Sequence, residues 1–240
     1  MDPYQSAAPR LWPAFGCLST AFLILLCLMP FFVFDTMQAA MVKLHLSPSA
    51  ALWAVIGIFL GGLINIPIYR IPRQEQQVVE SAAILGFWGW TPRVHRYRRD
   101  SIVAINVGGG LIPVGLAIWE TLIVTAVGGW PLRVLAIAVV VNVIACYWVA
   151  RPIRGVGIAM PGLLSPAVAI GVTWLLLASP AYDPIRAPVA FVAGVLGPLV
   201  GADLFHLKDI SRVSAGILSI GGAGTFDGIV LSGILAALLA

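Results

Sequence analysis

Apolar residues in this chain come in blocks close to 20 long, separated by short polar stretches. A helix of that length crosses the roughly 30 Å hydrocarbon core of a bilayer, where every backbone polar group must be satisfied internally. A water-soluble domain carries about a quarter of its residues charged; here 10% are, and the mean hydropathy is +0.99. The pattern predicts an all-α membrane protein, a polytopic bundle of about seven transmembrane helices in a single domain over residues 1–240. The expected spans are about 11–34, 48–69, 101–122, 132–150, 161–178, 188–207 and 224–240. The first block is too long for a secretory leader, lacks a small-residue cleavage site and is followed by six more, so it is expected to be retained.

Orientation follows from the basic residues, which collect on the cytoplasmic side of membrane proteins. With the N-terminus inside, Arg10, Arg70, Arg73, Arg93, Arg96, Arg98, Arg99, Arg151, Arg154, Lys208 and Arg212 are cytoplasmic. Only Lys43, Arg133 and Arg186 then lie outside. The expectation is a multi-pass protein of the inner (cytoplasmic) membrane, N-terminus cytoplasmic and C-terminus outside.

Cys17, Cys27 and Cys146 lie in apolar runs without CxxC or Cys/His spacing, which argues against a disulfide framework or a zinc site. No dinucleotide fingerprint, phosphate loop or GxSxG occurs. No cofactor and no metal are expected.

The cytoplasmic loop 71–100 is the longest polar connection. Its Arg93–Arg99 cluster suits anionic lipid, and Phe87, Trp88 and Trp90 suit the membrane interface, around a turn suggested by Gly89 and Thr91-Pro92. The partner is the lipid bilayer rather than nucleic acid, and no oligomeric state follows from the pattern. Asp35–His45 reads as an outer connection with interfacial helix spacing.

Polar and helix-breaking residues interrupt several spans. Asn65-Ile-Pro67 closes span two, and Asn106, Gly108, Gly109, Gly110 and Pro113 fall within span three. Each set either packs helices closely through small residues or lines a cavity that satisfies freed backbone. Asn142 reads as a packing hydrogen bond. Residues 151–166 read as a glycine-rich inner turn before a proline-started span. Glu120, near the outer end of span three, either belongs to a site or meets water.

Two aspartates remain, Asp203 near the cytoplasmic end of span six and Asp227 about a turn into span seven. Ionisable residues inside spans mark functional sites, and antiparallel neighbours would hold these two at a similar depth. Carboxyls held together share a proton, which suits activation of water against a peptide carbonyl, or proton and cation coupling in a carrier. The bland alternatives pair Asp203 with His206 or Lys208, or make Asp227 a helix cap.

Gly224-Thr-Phe226-Asp227-Gly-Ile-Val-Leu-Ser-Gly233-Ile-Leu resembles the catalytic Gly-x-Gly-Asp stretch of the presenilin and signal peptide peptidase group. The resemblance implies Asp203 and Asp227 as a catalytic dyad. The stretch departs at Phe226, where that motif has glycine, and at Gly201-Ala202 before Asp203, where a tyrosine is usual. No counterpart of that group's last two spans, with their Pro-Ala-Leu motif, follows span seven. Over most of its length the chain also resembles an uncharacterised prokaryotic membrane-protein family. Its marks are Asn65-Ile-Pro67, Ala104–Pro113, Gly201-Ala-Asp203-Leu and Gly221–Ile229.

The leading expectation is an aspartyl intramembrane peptidase acting on a membrane protein or peptide. Asp203 and Asp227 are its expected catalytic residues, and Asn65, Asn106, Gly108, Gly109, Gly110, Pro113, Gly224 and Phe226 its expected substrate-binding residues. A proton- or cation-coupled carrier of small solutes using the same carboxylates, or a non-catalytic assembly module, are the alternatives.

Overall fold

The computed structural model describes residues 12–71, 76–79, 94–97, 101–153, 157–207, 217–222 and 228–240. Seven α-helices dominate it: α1 (Trp12–Val42), α2 (Pro48–Gly61), α3 (Ile112–Val127), α4 (Gly129–Val149), α5 (Leu164–Leu176), α6 (Asp183–Leu196) and α7 (Gly228–Leu239). A π-helical turn, Val107–Leu111, leads into α3, and a longer π-helical segment, Gly197–Leu204, continues α6. Each expected span contains one helix. Among the described residues three stretches are long and apolar enough to cross a membrane, Val107–Val127, Gly129–Val149 and Pro180–Leu204; Cys27–Val42 of α1, α2, α5 and α7 give shorter apolar stretches.

The molecule is mostly helical but not all-α. Span two is helical only over Pro48–Gly61, and Asn65–Ile71 is a strand, β1. The cause is local: Pro67 has no N–H to give a helix, and the residue before a proline is pushed to extended backbone. The β-branched Ile66 and Ile68 favour the same state. Residues Gln76–Val79 (β2) pair antiparallel with Val94–Tyr97 (β3), so the loop 71–100 contains a β-ribbon; its centre, 80–93, lies outside the described residues. Span three likewise begins as a strand, β4 (Ser101–Asn106), before the π-turn. A short hairpin, β5 (Arg151–Ile153) with β6 (Gly157–Ala159), occupies the expected inner turn. Last comes β7 (Ile217–Ile220).

Strand β4 is central in a three-stranded sheet, antiparallel to β1 with Asn65 opposite Asn106, and parallel to β7 with Ile105 opposite Ile220. The expected outer connection Asp35–His45 is also revised. Helix α1 runs on to Val42 because Met37, Ala40 and Met41 are buried in the core, which gives this segment a helical apolar face.

Helix α6 is the axis of the bundle. Every residue from Ile185 to Val195 is buried, beneath α3, α4, α5 and α7. A helix enclosed on all sides is apolar all round. In a hydrocarbon surround its packing comes from close contact rather than from expelled water. Gly194 and Gly233 provide that closeness between α6 and α7: a Cβ on Gly194 would stand 2.9 Å from the Ser232 carbonyl oxygen, and one on Gly233 2.6 Å from Val195 Cγ2. A buried polar cluster joins four helices at this level. Asn142 Nδ2 donates to Ser165 Oγ (2.9 Å) and to the Ala193 carbonyl (2.7 Å), Cys146 Sγ lies 3.6 Å from Asn142 Oδ1, and Ser232 Oγ donates to Ser165 Oγ (2.5 Å).

The bundle has two unlike ends. At one, Lys43 Nζ donates to the Leu238 carbonyl, Trp130 to Leu176, Trp174 to Leu239, and Arg186 to the carbonyls of Leu177, Ala178 and Ser179. The sheet and both π-helical segments lie at the other.

Asn142→Leu removes the donor that joins α4, α5 and α6. It should lower stability by about 1–2 kcal/mol, read as a lower thermal unfolding midpoint in detergent. Adding Ser165→Ala should cost less than it does alone, because both changes dismantle one network.

Candidate functional site

At the sheet end one side chain serves two changes of backbone state, from α2 to β1 and from β4 to the π-turn. Asn106 closes β4 and is fully buried. Its Oδ1 accepts from the Gly109 N–H (2.8 Å), capping the π-turn. Its Nδ2 donates to the Gly62 carbonyl (2.8 Å), where α2 ends, and to Asn65 Oδ1 (3.1 Å), where β1 begins. Asn65 Oδ1 also accepts from Ser219 Oγ of β7. Of the two alternatives for Asn106, its carboxamide is spent on packing and capping.

Glycine is required where these backbones meet. A Cβ on Gly109 would overlap the Gly221 carbonyl oxygen. Gly221 has φ +71°, a left-handed conformation, and a Cβ there would stand 2.5 Å from Gly109 C. Gly108 is equally confined, against the Ile58 carbonyl oxygen and the Gly62 amide. Gly110 and Pro113 are buried in the same run. The turn after β7 is thus clamped onto the π-turn before α3.

Asp203 lies in the last turn of the π-helical segment Gly197–Leu204 and is half-buried. That segment packs on α4, where Gly201 meets the Val143 carbonyl oxygen and Cys146. His206, just beyond, is buried; its Nδ1–H is directed at the carbonyls of Ala202 (2.9 Å) and Gly201 (3.2 Å), and its ring lies 5.0 Å from that of Tyr147. Asp227, Gly224 and Phe226 lie outside the described residues. Their flanks are described: Gly222 ends the clamped turn, and Gly228 opens α7, which packs against both π-helical segments.

The structure therefore brings Asn65, Asn106 and Gly108–Gly110 into one junction and puts Asp203 on a separate segment that shares α7 as a neighbour. Ser219, Gly221 and Gly62 belong to the junction too and were missed from sequence. The signal was present in Ser219-Ile-Gly-Gly, a turn signature at the end of a β-branched run. The junction holds only amides and a hydroxyl. These groups fix geometry and do not exchange protons at neutral pH.

Gly109→Ala should force the Gly221 turn away and cost about 1–3 kcal/mol, seen as a lower thermal midpoint. Gly115→Ala on α3, where a Cβ has nothing within 4 Å, should leave the midpoint unchanged.

No curated protein and no solved structure matches the chain significantly, so the presenilin-like stretch stays a resemblance. The family model described as "Protein of unknown function (DUF1614)" matches residues 59–239, a range that contains Asn65, Asn106, Asp203 and the Gly221 turn. The chain belongs to the DUF1614 family.

Proposed function

We propose that this protein is a multi-pass enzyme of the cytoplasmic membrane, with its sheet end cytoplasmic, that hydrolyses membrane-embedded peptides by an aspartyl mechanism using Asp203 and Asp227. The observation that carries the reading is the shared neighbour of the two acids. Asp203 ends the central helix in a π-helical segment, and the helix packed against that segment, α7, begins one residue after Asp227. In this mechanism the ionised carboxylate takes a proton from water while the neutral one polarises the peptide carbonyl. Strand β7 supports the reading, because it stands at an edge of the sheet just before this stretch, and an extended peptide binds most simply by adding to such an edge. The β2–β3 ribbon would then present or gate that peptide.

The test is cleavage of a single-span peptide reconstituted with the protein. Asp203→Asn and Asp227→Asn should each reduce cleavage by at least about a hundredfold while leaving the thermal midpoint in place. Full activity in either variant removes the dyad.

One observation favours a second reading, a proton- or cation-coupled carrier. Two π-helical, glycine-containing breaks, Val107–Leu111 and Gly197–Leu204, stand at the same end, as discontinuous helices do around transport sites. Counterflow uptake in proteoliposomes, lost in Asp203→Asn, would identify it. If both Asp→Asn variants behave as wild type in both assays, the chain is a non-catalytic assembly module.

A further inference from the structure

The end of the bundle away from the sheet holds an ionisable pair that neither reading above uses. Glu120 stands on the face of α3 that also carries Pro113, Ala117 and Val124, and is fully buried rather than meeting water. Its Oε2 lies 3.4 Å from His45 Nδ1. Its Oε1, also buried, has no hydrogen-bond partner among the described residues. Buried polar atoms are rarely left so, and such an orphan calls for an explanation.

Asp35 of α1 is exposed, and the basic groups on the neighbouring elements are occupied. Lys43 donates to the Leu238 carbonyl, Arg186 is held by Asp183 (2.5 Å) and three carbonyls, and Arg133 of α4 lies over the Trp130 ring. Helices α2 and α7 carry no ionisable side chain. Among the described residues His45 alone is within ion-pair reach of Glu120.

His45 links this acid to the outside. Its side chain is 38% exposed and lines an open cavity of about 310 Å³ together with Lys43, Asp183 and Pro184. It also holds φ +54°, a left-handed conformation uncommon for a non-glycine residue. The turn is pinned by Leu44, fully buried beside it, so the strained backbone keeps the ring between cavity and carboxyl.

We propose that Glu120 and His45 form a proton-binding site loaded from this cavity. A hydronium ion in the cavity gives its proton to Nε2 of the neutral His45 and becomes water, the Nδ1 proton passes to the ionised Oε2 of Glu120, and the imidazole is left neutral with its proton on Nε2. A protonated Glu120 removes the buried charge, and the site empties by the reverse transfers.

The experiment is a pH titration of the full chain, labelled with ¹⁵N-histidine, in lipid nanodiscs. The pH dependence of the His45 ¹⁵N signals should differ between the wild type and Glu120→Gln. The His206 signals and the thermal midpoint should be unchanged. A His45 curve that is the same in Glu120→Gln and wild type overturns the proposal. If Glu120→Gln does not fold, Glu120→Asp decides. The shorter acid must shift the His45 curve, and a curve superimposed on that of the wild type overturns the site.

Discussion

A backbone that leaves the helical state inside an apolar bundle must find partners for its amides and carbonyls within the protein. Here that requirement falls on Asn106. One carboxamide caps the turn entering α3, donates to the Gly62 carbonyl at the end of α2 and ties β1 to β4. The glycines around it follow from this choice. Where the π-turn meets the end of α2 and the turn after β7, Gly108, Gly109 and Gly221 have no room for a side chain. The π-turn and the join of β1 to β4 both rest on this one satisfied polar group.

The other half of the design is the enclosed helix α6. Its π-helical continuation keeps Gly197, Pro198, Gly201 and Ala202 buried and carries Asp203 half-buried. Helix α7 reports on both halves, packing along α6 through Gly194 and Gly233 while touching both π-helical segments. The two ends of the bundle are chemically separate. One is built from strands, amides and the Asp203 segment, the other from Glu120, His45, Arg186 and tryptophans that donate to exposed helix-end carbonyls.

Much of the helical layout was legible because its signal is long and strong: seven apolar blocks, each containing one helix. What the hydropathy concealed is that apolar does not mean helical. Asn65–Ile71 and Ser101–Asn106 fall within expected spans, and Pro67 and their isoleucines are what mark them as strands. The pairing of β4 with β7 joins residues far apart in sequence, and no local pattern announces it. Asn65, Asn106 and the glycines of span three were recognisable as unusual, but their role is set by what they meet. Ser219 looked ordinary until it met Asn65. Glu120 was visible as a lone acid, and its partner His45 was hidden because it comes from a different connection, placed beside it only by the fold.

The parallel pairing of β4 with β7 has a consequence for how such a chain is made. Parallel strands need a long crossover, and the one here consists of α3 to α6 with their connections. On the ribosome the β1–β4 ribbon emerges early with one edge of β4 bare, and Ile105 must wait for Ile220 before that edge is covered. Synthesis proceeds at about 5–20 residues per second, so the open edge persists for seconds in each nascent molecule. The clamp at Gly109 and Gly221 closes only after the central helix has entered the bundle. The order of translation thereby makes the carboxylate end the last part of the protein to be completed, and an incompletely inserted molecule cannot present it.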